Sequence, residues 1–244
     1  MSNTLYQYST FIAVQNGLYD GDLSLPNLQQ RGDFGLGSFN ALEGELIALH
    51  GKFFHCTNGK AQLASASSRL CWAAVCKFNN DLNINITTNT RLENLKASIE
   101  KQIGSKNFLL AIHISGKFSK LKIASVPKQT KPYKTIKEII DESREFDLHN
   151  IQGDAIGFFA PDYMEHIKMP GYHFHFIDNT QTIGGHVLDF ELAEGLISLQ
   201  KLSHFTFELP NSNEFSRLEM PTPQQDEHVP VLADILFPPL KKGG

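Results

Sequence analysis

Short runs rich in Val, Ile, Thr, Phe and Tyr, cut by Gly, Asn, Asp and Pro, recur along most of this chain, and that rhythm commits it to a β-rich fold. Strands are predicted over residues 5–13, 45–49, 52–57, 72–78, 83–87, 108–114, 118–126, 153–159, 171–177, 184–190 and 196–208. His50-Gly51, Asn58-Gly59 and Ser115-Gly116 read as hairpin turns. Two helices stand against this background. Thr90-Arg91-Leu92-Glu93 reads as a capping box, followed by Leu92, Leu95, Ile99 and Ile103 at helical spacing and by Gly104 as a stop. Thr135-Ile136-Lys137-Glu138 repeats the device, with Ile136, Ile139 and Ile140 as its apolar stripe. Both helices are expected to act as lids on sheets.

A boundary is expected near residues 146–150. The fold class is then a β-rich α+β (α/β) protein. Residues 1–149 form a mixed-sheet domain with helices packed on it, and residues 150–210 a smaller, mostly antiparallel domain. Residues 211–244, rich in proline, read as an extended C-terminal tail.

Composition excludes several functions. At 244 residues and a mean hydropathy of −0.23, the chain can bury a sizeable core but has no apolar run of membrane-spanning length. Its first ten residues lack the basic and apolar regions of a signal peptide. A net charge of −4 and a pI near 6.2 argue against a nucleic-acid partner, and no phosphate-binding glycine motif follows a strand. Three cysteines cannot make a disulfide framework; Cys71 and Cys76, in an apolar strand run, read as buried, inert thiols. What remains is a soluble, cytoplasmic protein for a small-molecule substrate, with no membrane partner.

The chemistry concentrates in one segment, Gly171-Tyr-His-Phe-His-Phe-Ile-Asp, followed by Gly184-Gly-His186-Val. On a strand, His173 and His175 share one face while Tyr172, Phe174 and Phe176 take the other. A hairpin turning at residues 178–182 places His175 opposite His186, with Cβ atoms roughly 4.5–5.5 Å apart. Three imidazoles so arranged can each place a nitrogen about 2.0–2.1 Å from one zinc ion, leaving coordination positions open for substrate.

The same segment resembles the zinc-binding hairpin of bacterial α-acetolactate decarboxylases, and the resemblance extends beyond it. Leu5-Tyr-Gln-Tyr-Ser-Thr with Gly17-Leu-Tyr-Asp-Gly-Asp is similar to that family's opening. Further blocks continue in order: Gly35-Leu-Gly-Ser-Phe, Leu42-Glu-Gly-Glu45-Leu-Ile, Gly51-Lys-Phe-Phe, Ser125-Val-Pro-Lys-Gln-Thr-Lys-Pro-Tyr133 and Gly153-Asp-Ala-Ile-Gly-Phe-Phe-Ala-Pro161. The similarity spans about residues 5–210.

The resemblance implies a two-domain α/β homodimer that decarboxylates 2-hydroxy-2-methyl-3-oxobutanoate (2-acetolactate) to acetoin. In that chemistry a zinc ion chelates the hydroxy-keto unit and stabilises the enediolate left by CO2. It assigns the metal to His173, His175 and His186, and makes Glu45 an active-site carboxylate that contacts substrate or relays a proton. From the residues alone, Glu45 reads as a surface carboxylate. Ser38 stands where the family has a threonine beside the substrate. A second carboxylate near the C-terminus is implied, for which Glu219, Glu227 and Asp234 are all open. One departure matters: Ala124 occupies the place of an arginine that contacts substrate. Lys122, two residues earlier and on the same strand face, is the candidate to reach the pocket instead. If nothing replaces the arginine, the alternative is a metal-binding relative with impaired or altered activity: a ligand-binding or partner protein, or an enzyme for another 2-hydroxy-3-oxo acid.

Overall fold

In the computed structural model, residues 3–134, 136–165 and 167–220 are described. The elements, in chain order, begin with β1 (Thr4–Tyr8), α1 (Phe11–Gln15), β2 (Leu23–Ser24), α2 (Leu25–Gln29), β3 (Phe34–Phe39), β4 (Glu45–Leu49), β5 (Lys52–Thr57), β6 (Lys60–Leu63) and β7 (Arg69–Cys76). There follow β8 (Leu82–Ile86), β9 (Thr90–Arg91), α3 (Leu92–Ile103), β10 (Leu109–Ser125), α4 (Ile136–Asp141), β11 (Arg144–Ala160), β12 (Gly171–Asp178), β13 (Gly184–Leu202), β14 (His204–Glu208) and α5 (Asn213–Arg217). No described helix is long and apolar enough to cross a membrane.

Two sheets result, as the alternation demands. The first runs β14-β1-β7-β3-β4-β5-β6 with β2 against β7, and is mixed because β1 and β14 are parallel. The second is antiparallel, in the order β10-β11-β12-β13-β8, with β9 on β13. Its strand β13 pairs with β12 at its start and with β10 along its length, so β10, β11, β12 and β13 close into a ring.

Strand β7 explains why the sheets face each other. Its sequence is almost continuously apolar and is buried on both faces, the signature of a central strand. Trp72, Ala74 and Cys76 face the second sheet and join Leu36, Ile47, Ile156 and Phe158 in the core between the layers. Leu70, Ala73 and Val75 face outward and are covered by Leu25 and Leu28 of α2. Helix α3 buries Leu92, Leu95 and Ile99 against Ile112, Ile114 and Phe174 of the second sheet, and ends at Gly104, which takes the left-handed φ of 73° that glycine accommodates without strain.

Several expectations change. The strand expected over 5–13 stops at Tyr8, because Ser9 turns to a φ of 65° and Thr10 caps a helix by accepting from the Ala13 amide. Ser115-Gly116 is not a turn: β10 runs straight through it. Gly116 lies opposite Gly153 on one side and Gly195 on the other, and a Cβ there would stand 2.8 Å from the Gly195 Cα and overlap the Glu194 carbonyl. The glycine serves close approach of strands, not a bend. The predicted strands 184–190 and 196–208 are one strand to Leu202, after which the chain crosses to the first sheet as β14. Thr90 does not cap α3; it belongs to β9, and Arg91 is the capping residue without a side-chain bond. Thr135 of the second box lies outside the described residues. Strand β11 passes unbroken through residues 146–150, so the chain changes sheet between Cys76 and Leu82 instead. Within the expected tail, residues 213–217 form α5, capped by the Ser212 hydroxyl, and residues 221–244 lie outside the described part.

Leu95 of α3 is fully buried in the core beneath the helix, and truncating it removes that packing. Leu95→Ala is expected to lower unfolding free energy by about 2–5 kcal/mol in urea melts without changing metal stoichiometry.

Candidate metal centre

Strand register assembles the site from two rows of side chains. In the second sheet, His186 lies opposite His175 of β12 and, on its other side, opposite Ala124 of β10. His173, two residues before His175, shares its face. In the first sheet, Ser38 of β3 lies opposite Glu45 of β4 and, on its other side, opposite Trp72 of β7. The rows meet across the layer interface: Glu45 Oε2 lies 3.3 Å from His175 Nε2, and the Trp72 ring stacks on His173 with centroids 5.9 Å apart.

The three histidines converge. A ring nitrogen from each lies within 4.8 Å of the others, and His173 Nε2 and His186 Nδ1 are 3.3 Å apart. All three residues are buried, yet His173 Nδ1, His175 Nε2 and His186 Nε2 have no hydrogen-bond partner. Buried polar atoms are ordinarily paired, so three clustered imidazoles that each leave a ring nitrogen without a partner fit a metal ion. His175 Nδ1–H donates to the Leu46 carbonyl at 2.9 Å, which turns Nε2 and its lone pair inward.

Burial sets the protonation states. It lowers His173 well below the ordinary histidine range, with His186 and His175 adding repulsion. His175 falls to about 3 through burial and the His186 charge, and His186 to about 4 through burial. All three are therefore neutral ligands at physiological pH. Burial moves Glu45 the other way, up to about 7, against the Ser38 hydroxyl that donates to Oε2 at 3.3 Å.

Above the histidines lies a cavity with Ser38, Glu45, His173 and His186 on its polar side. Apart from Ser125 and Ser143 the remainder is apolar, made by Val14, Trp72, Ala124, Ile136 and Met169 among others. No described lysine or arginine side chain lines it. Lys122 is not brought there: its ammonium is held at the surface by Glu145 at 3.0 Å and Asp147 at 3.8 Å. Glu219 is exposed and does not line the cavity, while Glu227 and Asp234 lie outside the described residues. Helix α4 is more than a lid on a sheet, since Ile136 and Ile140 form part of the cavity wall. Trp72 and Met169 were not among the sequence candidates; the only local signal was that Trp72 is the chain's single tryptophan.

Facing sheets that enclose three neutral histidines, a protonatable carboxylate and a cavity fit a metal-dependent enzyme, with one three-histidine group among the described residues. Residues 5–222 match the family described as alpha-acetolactate decarboxylase. The alpha-acetolactate decarboxylase of Methanosarcina mazei is 37% identical over 220 residues, covering 90% of this chain and 76% of the relative. That of Methylococcus capsulatus is 35% identical over 92% of this chain and 86% of its own length. The crystal structure of alpha-acetolactate decarboxylase from Bacillus subtilis strain 168 superposes with a TM-score of 0.88 at 32% identity, covering 90% of this chain and 94% of that one. The chain belongs to the alpha-acetolactate decarboxylase family.

Two predictions follow from this geometry. His173→Ala and His186→Ala are each expected to remove bound metal, read by elemental analysis after gel filtration, with the fold retained by circular dichroism. In metal-free protein the imidazoles titrate far below 6.5 when folded but near 6.5 when unfolded, so the unfolded chain binds more protons between those values. Stability of the metal-free chain should therefore fall as pH drops from about 6.5 toward 4, seen as a declining urea midpoint.

Proposed function

We propose that this chain is a zinc-dependent carboxy-lyase that converts 2-acetolactate to acetoin and CO2. The observation that carries the proposal is the convergence of three buried, neutral imidazoles beside a carboxyl group that burial raises to about 7. Held by His173, His175 and His186, an all-nitrogen donor set suited to zinc, the ion supplies Lewis acidity toward the hydroxyl and ketone oxygens of a 2-hydroxy-3-oxo acid.

The chain's own groups do the rest. The Leu46 carbonyl fixes the His175 ring, and Trp72 packs flat on His173, so the donor set is preorganised. Glu45 Oε2 carries a proton at the mouth of the donor set. When the bond to the carboxylate breaks, its electron pair stays on the former C2 carbon, CO2 leaves, and Glu45 gives its proton to that carbon. Glu45 then recovers a proton from solvent. Ser38 donates to the same oxygen and stabilises the carboxylate once the proton has left. Val14, Leu42, Val126 and Ile136 keep bulk water from the reacting carbon.

Ala124 favours a second reading. It places a methyl group beside His186, and Lys122 points away, so the wall here suits a larger apolar substituent on a different 2-hydroxy-3-oxo acid, or a ligand that is bound and not turned over.

Release of acetoin and CO2 from racemic 2-acetolactate by zinc-loaded protein, against chelator-stripped protein, tests the first reading. Glu45→Gln is expected to lower kcat by about 10²–10⁴ with zinc content unchanged. No turnover by the zinc-loaded wild type, with activity gained in Ala124→Arg, would overturn it in favour of the second.

A further inference from the structure

Lys168 has no role in the chemistry above, and its setting is unusual. The residue is 1% exposed, and its Nζ has no hydrogen-bond partner. Among the described residues two aromatic rings flank it, with the ammonium 4.7 Å from the Phe158 ring centre and 5.3 Å from that of Trp72, and the Cys76 thiol lies within electrostatic reach. Both rings belong to the metal centre's surroundings. Phe158 is the cross-strand partner of His173, and Trp72 stacks on His173 and lines the cavity. Met169, the next residue, lines the cavity as well. Lys168 itself stands one layer behind the wall.

A buried ammonium without an anion is costly, and ring faces repay only part of that cost. Nothing in the described fold supplies the missing negative charge. The cavity in front of it has no cationic side chain on its described walls, and Glu45 is its one carboxylate. We propose that Lys168 is the counter-charge of this site, a positioning residue that acts across Trp72 to select ligands bearing a carboxylate over neutral hydroxy compounds of the same shape. Through a dry, aromatic wall the attraction is weakly screened, so it does not require direct contact. Burial pulls the amine down to about 7, and a negative charge in the cavity favours its protonated form. The inference deepens the proposed function and rests on its hydroxy-acid substrate class.

The test compares two ligands of one skeleton on zinc-loaded protein, 2-hydroxy-2-methylpropanoate and 2-methylpropane-1,2-diol. Neither has a 3-oxo group, so neither can be decarboxylated, and binding is read from the fluorescence of Trp72, the single tryptophan. Lys168→Met keeps the side chain's length and removes the charge. It is expected to weaken the acid on the order of tenfold, to leave the diol unchanged and to leave the thermal midpoint equal or higher. Equal weakening of both ligands, with a lower midpoint, would make Lys168 a structural residue and overturn the proposal; so would unchanged affinity for the acid. A wild type that binds the acid preferentially but does not turn over 2-acetolactate would sink the decarboxylase reading and leave the role of Lys168 standing.

Discussion

Strand β13 is hydrogen-bonded on both sides where it carries His186, to β12 through His175 and to β10 through Ala124. A residue locked into two ladders cannot slip, because a one-residue shift in either would turn its side chain to the opposite face. That double registration fixes the three imidazoles relative to one another before any metal is considered. It also brings β13 as close to the first sheet as the backbone permits. A Cβ on Gly184 would stand 2.7 Å from Cys56 Sγ and 2.9 Å from the Phe176 carbonyl, so only glycine lets the hairpin settle there. Cys56 is in turn the cross-strand partner of Glu45. The contact that demands a glycine is thus the contact that sets how near Glu45 lies to His175.

Burial then gives those positions their chemistry. The same burial that lowers the imidazoles raises Glu45 to about 7, because burial disfavours whichever form is charged. Neutral imidazole is the form that can ligate, and a protonated carboxyl is the form that can donate. One physical cause therefore acts on the imidazoles and on a carboxyl group 3.3 Å from one of them. Apolar residues such as Val14 and Ile136, which line the cavity, contribute to that burial.

The histidine hairpin was legible in the sequence because everything that specifies it is local. Alternation puts His173 and His175 on one face, and Asp178 closes the turn by accepting from the amides of Thr180, Thr182 and Ile183. The symmetric register about that turn pairs His175 with His186. Lys122 shows where local reasoning ends. Its face follows from parity with Ala124, but its ammonium goes to Glu145 and Asp147, which β11 supplies from more than twenty residues away. Ser115-Gly116 failed for a related reason. A serine-glycine pair reads as a turn until Gly153 and Gly195 are known to stand beside it in neighbouring strands. Trp72, Ile136, Lys168 and Met169 come from three separate segments with no shared pattern, and Glu45 needed the family resemblance to stand out from other surface-type carboxylates. Only packing brings them together.

Neither sheet holds the chemistry alone. The second contributes the imidazoles, and the first contributes the carboxyl, the hydroxyl that steadies it and the indole behind His173. On the proposed mechanism, metal affinity depends chiefly on one hairpin, whereas proton transfer depends on how the layers are spaced. The core between them, with Phe34 set edge-on to Phe158 at 6.1 Å, maintains that spacing. A change that loosens this core without touching the hairpin separates the two properties: the chain keeps its donor set and loses the alignment of Glu45 with it. On the proposed mechanism, interlayer packing is on that account a determinant of turnover as much as of stability, and substitutions at Phe34 or Ile156 would act on kcat through the distance between Glu45 and His175.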